Sequence, residues 1–338
     1  MIPEVAVVGA TGWGTTLAMH IARPGRRVQL LTRSEAETSS LCHLGHHPRL
    51  AEFEFPPSLT VSDDASALAV VPLVILTVPA QTMRQNVATI AGSVGLQTVV
   101  AHAAKGLERG SAKRMTEVIR EELSAGHVAP LAVISGPNLA REVAAGLPST
   151  TVVACDDEVA AGSIQDLLTA PTFRAYTSSD VIGVELGGSL KNIIAMGAGL
   201  VDGFGLGDNA KAAYLTRGLA EITRLGISAG ADPMTFQGLS GLGDLVATCY
   251  SPLSRNRRVG EEIAAGRSLD DILSSMTEVA EGVETVPAAL KLAAALNVEM
   301  PIAEQANAIL FEGRPPLEAL RLLLEREPRA EFWGAPSG

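Results

Sequence analysis

Apolar residues along the first half of the chain come in short, dense runs separated by stretches of helical spacing. Val5–Val8 reads VAVV and is followed by glycines and then by a helical pattern from Thr15 to Ala22. Residues 28–32 (VQLLT) form the next run, so the chain opens as strand, helix, strand with a glycine-rich first turn. Further runs fall at residues 73–79, 98–106, 131–137 and 149–154, each ending near Gly or Pro and each separated from the next by helical stretches. Dense, mostly apolar strand runs alternating with helices predict a mostly parallel sheet covered on both faces. Near Asp180 the strand runs stop. Helical patterns replace them at 183–201, 210–225, 285–295, 302–311 and 317–325. The pattern therefore predicts an α/β domain of doubly wound type over residues 1–180, followed by an all-helical domain over 181–338.

Composition narrows the function classes. The 338 residues are 47% hydrophobic with few aromatics, which suits two globular domains. A net charge of −11 argues against nucleic acid or an anionic membrane surface as a partner, while leaving room for an anionic small molecule met by a few local cations. Cys42, Cys155 and Cys249 are odd in number and far apart, which suggests neither a disulfide framework nor a zinc site. The segment CHLGHH (residues 42–47) has no matching second ligand pair, so no metal is expected. The opening MIPEVAVVGA runs straight into a strand without signal-peptide architecture, and the run ALAVVPLVILTVP is too short and interrupted to span a bilayer. The expectation is a cytoplasmic protein without membrane insertion.

The first turn, GATGWGT, carries Gly9 and Gly14 where the first and third glycines of a dinucleotide fingerprint belong, but Thr11 occupies the second. Its place between a strand and a helix at the start of a βαβ unit predicts a Rossmann-like dinucleotide site. Gly12 would restore close backbone approach, and the helix start near Trp13 and Gly14 would offer N–H groups to a pyrophosphate. After the second strand, where an acidic side chain would hold the ribose of NAD, stands Arg33. It is either a solvated surface residue or a cation suited to a 2′-phosphate, with Glu35 close by as a competing ribose ligand.

Lys105, in AAKGLERG, follows a buried run directly, at the strand end where open α/β sheets bind ligands. Gly136 and Asn138, in SGPNLAREVA, occupy another strand–turn–helix corner. In the helical half, Gly187, Gly188 and Ser189 imply a close backbone neighbour, and Lys191 lies within the same apolar helix. Such a lysine either snorkels to the surface or, if desolvated, titrates low enough for proton transfer. Asp244 and Thr248 share a helix face, with an N-cap role for Asp244 as the plainer alternative. SRNRR places Ser254, Arg255 and Asn256 in a cationic cluster, which is either a solvated face or a phosphate site. All six histidines precede Val128, so an acid–base group in the helical half must be a lysine or a carboxyl.

The blocks GVELGGSLKNIIAMGAGLVDGFGLGDNAKAAYLTRGLAEITRLG and GLSGLGDLVATCYSPLSRNRR, with SGPNLAREVA, AAKGLERG, VPAQTMR and EGVETV, resemble the bacterial NAD(P)-dependent glycerol-3-phosphate dehydrogenase family in the family's order over nearly the whole chain. Two stretches depart from it. The first turn of the family is G-A-G-S-W-G-T, and GHHPRLAEFEFPPSL does not follow its N-x-x-Y-L-P-G pattern. The resemblance implies reversible hydride transfer between dihydroxyacetone phosphate and sn-glycerol 3-phosphate, supplying phospholipid synthesis. It further implies Lys191 as the acid–base group, with Lys105, Asn192, Asp244 and Thr248 around the reacting carbonyl. Gly136, Asn138, Ser254, Arg255 and Asn256 would hold the substrate. Gly9, Gly12, Trp13, Gly14, Arg33, Lys105, Ala140, Arg255 and Glu281 would contact the cofactor, either NADP or NAD, with NADPH modestly favoured. The chemistry is expected at the cleft between the domains, and a homodimer is compatible with the sequence. Two other readings stay open: a related two-domain reductase of another keto or hydroxy acid, and a non-catalytic dinucleotide-sensing module.

Overall fold

A computed structural model describes residues 3–276, 279–327 and 331. It divides into two compact units. The first, running to Ala104 and resuming over Met115–Val181, is built on one sheet. Its strands are β1 (Val5–Val8), β2 (Val28–Leu31), β3 (Leu59–Ser62), β4 (Leu73–Leu76), β5 (Val99–His102), β6 (Leu131–Ser135), β7 (Ser149–Cys155) and β8 (Phe173–Ser178). Their spatial order is β3-β2-β1-β4-β5-β6-β7-β8. Neighbours are parallel except β6 and β7, which pair antiparallel with Ala132 opposite Cys155. In the centre, Val5 lies opposite both Val28 and Leu73.

Helices α1 (Gly12–Ala22), α2 (Glu35–Leu44), α3 (Met83–Ile90), α4 (Met115–Glu122), α5 (Ala140–Ala144) and α6 (Glu158–Leu168) connect the strands. Because successive strand residues face opposite ways, β1 feeds two cores. Val5 and Val7 pack with Leu17 and Ile21 of α1 and Ile164 of α6. Ala6 and Val8 pack with Met83 and Val87 of α3 and Val118 of α4. Burial on both faces is why β1, β2, β4 and β6 are buried at every residue. The two strands that the apolar runs do not predict, β3 and β8, are the two edges of the sheet.

The second unit joins Lys105–Arg114 to the chain from Ile182 onward. A single cut near residue 180 does not provide for that excursion. The buried Glu185, which takes the Arg114 guanidinium at 2.7 Å, anchors one end of it. The helices are α7 (Val181–Gly203), α8 (Asp208–Ser228), α9 (Asp244–Tyr250), α10 (Arg255–Ala264), α11 (Leu269–Ser275), α12 (Glu281–Ala295), α13 (Pro301–Phe311) and α14 (Pro316–Leu324). α7 is long and apolar enough to cross a membrane, but 83% of its most apolar stretch is buried within the protein, where it forms the axis of the helical core. It meets α10 backbone to backbone. A Cβ on Gly199 would fall 1.9 Å from the Arg257 carbonyl oxygen, and one on Gly260 1.9 Å from that of Met196. α13 has no capping side chain of its own. Its Ile302 and Ala303 amides donate instead to the buried carboxylate of Glu221 on α8. Burial pushes that carboxyl up to about 7 against the pull of the two amides.

The terminal GAPSG (residues 334–338), whose composition predicts a loose tail, lies outside the described residues.

Candidate active site

Three segments of the second unit converge on one carboxylate. α9 follows a π-helical turn, Leu239–Gly243, which brings the Ser240 carbonyl against α7 where a Cβ on Gly187 would meet it at 2.8 Å. That contact is the close backbone neighbour the Gly187–Ser189 stretch implies, and wide turns of this kind recur at functional sites. Asp244 is therefore the first residue of α9 rather than its cap, and its carboxylate turns inward. Lys191 Nζ donates to Asp244 Oδ1 at 2.6 Å and also to Thr248 Oγ1. Lys105 Nζ donates to Asp244 Oδ2 at 2.7 Å. Thr248 Oγ1 donates back to Asp244 Oδ1 at 3.2 Å, the one-turn spacing bringing both side chains to the same face.

The two lysines are not equivalent. The Lys191 side chain is 6% exposed and that of Lys105 20%. Burial pushes the Lys191 ammonium down to about 8, with Lys105 pushing the same way and Asp244 opposing both. Lys191 does not snorkel. It is a desolvated amine held well below the ordinary lysine range, in a unit whose described residues contain no histidine. Asn192, the next residue on α7, donates from Nδ2 to the Lys105 carbonyl at 3.1 Å and so holds the Lys105 backbone.

The arginines after Pro252 separate into distinct roles. Arg257 pairs with Asp202 and Glu261, and Arg258 with Glu262, so these two are committed to ion pairs. Arg255 donates from Nη1 to the Val279 carbonyl at 2.9 Å, two residues from Glu281 at the start of α12. Ser254 caps α10, its Oγ accepting from the Arg257 amide at 3.2 Å. Arg255 and Asn256 open α10, and the first turn of a helix suits an anion.

In the first unit the fingerprint turn sits at the carboxyl ends of β1 and β4, where the strand order reverses, the position at which open α/β sheets bind ligands. The turn has no spare room. A Cβ on Gly14 would fall 2.2 Å from the Gly9 carbonyl, and one on Gly9, whose φ is 103°, 2.8 Å from Val78 Cγ1. Thr11 explains its own presence. Its Oγ1 accepts from the Gly14 amide at 3.0 Å as the N-cap of α1 and donates to the Thr77 carbonyl at 3.0 Å. The Thr77 hydroxyl in turn lies 2.9 Å from the Val8 carbonyl and 2.8 Å from that of Gly9. The cap uses the Gly14 amide and leaves those of Gly12 and Trp13 as the helix-start donors. The turn thus fits a pyrophosphate, with the hydroxyl of Thr11 fixing the loop. Nothing local in the sequence marks Thr77, because its role depends on β4 lying beside β1.

Arg33 is 84% exposed and pairs at 3.6 Å with Glu37, whose carboxylate also accepts the Arg33 amide at 3.0 Å. The carboxylate at this strand end is therefore Glu37, with Glu35 in the first turn of α2. Ala140 lies beside the fingerprint helix, its carbonyl accepting from Thr16 Oγ1 at 3.2 Å. Gly136 has a φ of 151°, and a Cβ there would meet Thr151 Cα at 3.0 Å. Asn138 turns its side chain to the Thr150 carbonyl at 2.8 Å, bracing the loop against β7. Within the Cys42–His47 segment, His47 Nδ1 accepts the Arg49 amide, which makes it a local cap.

A family model described as NAD-dependent glycerol-3-phosphate dehydrogenase N-terminus matches residues 4–161, and one described as the C-terminus of the same enzyme matches residues 180–321. The chain is 47% identical over 337 residues to glycerol-3-phosphate dehydrogenase [NAD(P)+] of Dehalococcoides mccartyi, covering 98% of this chain and 93% of the relative. The enzyme of that name from Thermobifida fusca is 45% identical over 334 residues, covering 98% and 99%. The crystal structure of glycerol-3-phosphate dehydrogenase from Coxiella burnetii superposes with a TM-score of 0.90 at 36% identity, covering 95% of this chain and 98% of that one.

Proposed function

Because the chain belongs to the NAD-dependent glycerol-3-phosphate dehydrogenase family, we propose that Lys191 is its acid–base group, with Lys105 and Asp244 setting the charge around it. The activity is that of an NAD(P)-dependent glycerol-3-phosphate dehydrogenase, an oxidoreductase that uses NAD or NADP. The observation that carries the assignment of roles is one carboxylate, Asp244, bridging a buried lysine and a half-open one.

When bound, the cofactor supplies or takes up the hydride at the carbon bearing the oxygen. Reduction of the ketone of dihydroxyacetone phosphate leaves an alkoxide, which needs a proton and a positive field. Lys191 Nζ gives the proton, and its low pKa makes that transfer easy near neutral pH. Lys105 Nζ provides the positive field, and Asp244 keeps both ammoniums oriented while offsetting their repulsion. In the oxidative direction neutral Lys191 takes the proton from the alcohol. Asn192 and Thr248 hold the two lysines. Gly9, Gly12, Trp13, Gly14, Arg33 and Ala140 are the dinucleotide residues of the first unit. Gly136 and Asn138 shape a substrate loop, and Ser254, Arg255 and Asn256 receive the phosphate at the start of α10.

The phosphate assignment is tested with Arg255→Ala. A charge-assisted hydrogen bond is worth about 1.5–3 kcal/mol, so kcat/KM for dihydroxyacetone phosphate should fall roughly 10- to 150-fold, chiefly through KM. The unphosphorylated ketone should lose far less. Equal losses on the two substrates would remove Arg255 from the phosphate site.

Cofactor choice belongs to the same proposal. An exposed guanidinium at the end of β2 can grip a 2′-phosphate, whereas Glu37 competes for it and tempers the gain. Both cofactors should therefore turn over, with NADPH modestly favoured. Arg33→Asp should shift the ratio of kcat/KM values toward NADH by about tenfold, the worth of one such bond. An unchanged ratio at fixed ionic strength would place cofactor selection elsewhere.

The burial of α7 within the helical core is consistent with a soluble protein. The proposed setting is the cytoplasm, with glycerol 3-phosphate supplied to phospholipid synthesis, and it accommodates a homodimer.

A further inference from the structure

α7 and the π-helical turn ahead of α9 touch where α7 has no side chain to offer. A Cβ on Gly187 would fall 2.8 Å from the Ser240 carbonyl oxygen and 3.2 Å from its carbon. Both are backbone atoms, so a methyl group at Gly187 could be admitted only by moving the turn away from α7. Lys191 lies one helical turn on from Gly187 and on the same face, and Asp244 lies about one turn on from Ser240. The two segments therefore meet at consecutive rungs. The first is backbone on backbone at Gly187 and Ser240, and the second is ammonium on carboxylate, 2.6 Å between Lys191 Nζ and Asp244 Oδ1.

The turn is also seated from its other side. Its hydrogen bonds join residues five apart, the Gly243 amide donating to the Gly238 carbonyl at 3.1 Å and the Asp244 amide to that of Leu239. A Cβ on Gly241 would fall 2.1 Å from the Phe236 carbonyl oxygen. The Phe236 ring, fully buried, fills the space where a Cβ on Gly226 of α8 would meet it at 2.1 Å. One residue fewer in the turn would rotate Asp244 by about 100° off the face it shares with Ser240.

We propose that Gly187 is a positioning residue, whose bare α-carbon seats the π-helical turn on α7 and thereby sets the separation of Asp244 from Lys191. The proposal rests on the acid–base role given to Lys191 above. A residue that only packs would change stability and leave the titration of activity alone. A spacer must move that titration, and the direction is fixed. Asp244 strengthens the hold of Lys191 on its proton, whereas burial and Lys105 weaken it. Drawing the carboxylate away leaves the two weakening influences in place, so Lys191 gives up its proton at lower pH.

The experiment measures kcat for ketone reduction against pH in the parent, Gly187→Ala, Phe236→Leu and Gly203→Ala, each checked for fold by circular dichroism and urea unfolding. Gly203→Ala is the control. It crowds the far end of α7, where a Cβ would fall 2.5 Å from Ala264 Cβ, and should lower the urea midpoint while the alkaline limb keeps its parental position. Gly187→Ala should move that limb down by about 0.5–1 pH unit, as expected for a contact ion pair drawn apart by about half an ångström. At pH 9 this is a further loss of about three- to tenfold, whereas kcat at pH 6 stays close to that of the parent. Phe236→Leu empties part of the seat beneath the turn without putting an atom between the turn and α7. It should move the limb the same way by less, and it reads the same coupling should Gly187→Ala not fold. A limb unmoved in Gly187→Ala, or in Phe236→Leu where the first variant does not fold, would overturn the proposal. So would a loss of the same factor at every pH, or an equal shift in Gly203→Ala. A limb that persists in Lys191→Ala would instead overturn the acid–base role itself.

Discussion

Lys191→Ala is expected to lower kcat for dihydroxyacetone phosphate reduction on the order of 10²–10⁴-fold, the usual range for a lost general acid, while cofactor affinity stays close to that of the parent. The expectation comes from the surroundings of the amine. Lys191 lies on the buried side of α7, with Asp244 Oδ1 and Thr248 Oγ1 as its partners, and the described residues of that unit hold no histidine to take over the proton. The dinucleotide residues proposed in the first unit do not include it, so NADPH titration by fluorescence should give a nearly unchanged Kd. A kcat within a few-fold of the parent would make Lys191 a structural residue and remove the mechanism.

Asp244→Ala should have the second-largest effect, on both activity and stability. Removing one partner of a buried ion pair costs about 3–5 kcal/mol when the other charge is left behind, and here two ammoniums share the lost carboxylate. The system has one escape. Asp244 is the attraction that holds the Lys191 pKa up against burial and Lys105. Without it, Lys191 gives up its proton at still lower pH. Ketone reduction at pH 7 should therefore collapse and recover partially as the pH is lowered, while the urea midpoint falls. A variant with parental stability and an unshifted pH profile would show that Asp244 does not govern the lysines.

The interior of this fold is written plainly in the sequence, and its margins are not. β1 and β4 are apolar along their whole length, and β6 up to its last residue, because helices cover both faces, and such runs stand out. β3 and β8 are edges. LTVS is buried only at its first residue and FRAYTS alternates, so neither forms a dense apolar run. The excursion of Lys105–Arg114 into the second unit is likewise invisible locally. It depends on Arg114 reaching Glu185 and on Asn192 reaching the Lys105 carbonyl, contacts across 71 and 87 residues. The same limit applies to the site. Spacing alone puts Asp244 and Thr248 on one face, but their meeting with Lys191 and Lys105 comes from the crossing of α7 and α9, and in the sequence only the family resemblance implies it. Thr11 breaks the glycine pattern of the fingerprint. Its hydroxyl is the cap of α1, which a pattern of glycines cannot express.

The most direct test of the central claim is the pH dependence of kcat in both directions with the parent enzyme. A general acid with a pKa near 8 must be protonated for ketone reduction and neutral for alcohol oxidation. Reduction should thus be level at low pH and fall about tenfold per unit above pH 8, whereas oxidation should rise by the same slope up to pH 8 and then level off. Mirror-image limbs meeting near pH 8, both absent from the residual activity of Lys191→Ala, are the predicted result. A reductive rate that stays flat through pH 8, or a limb that persists unchanged in Lys191→Ala, would contradict the account.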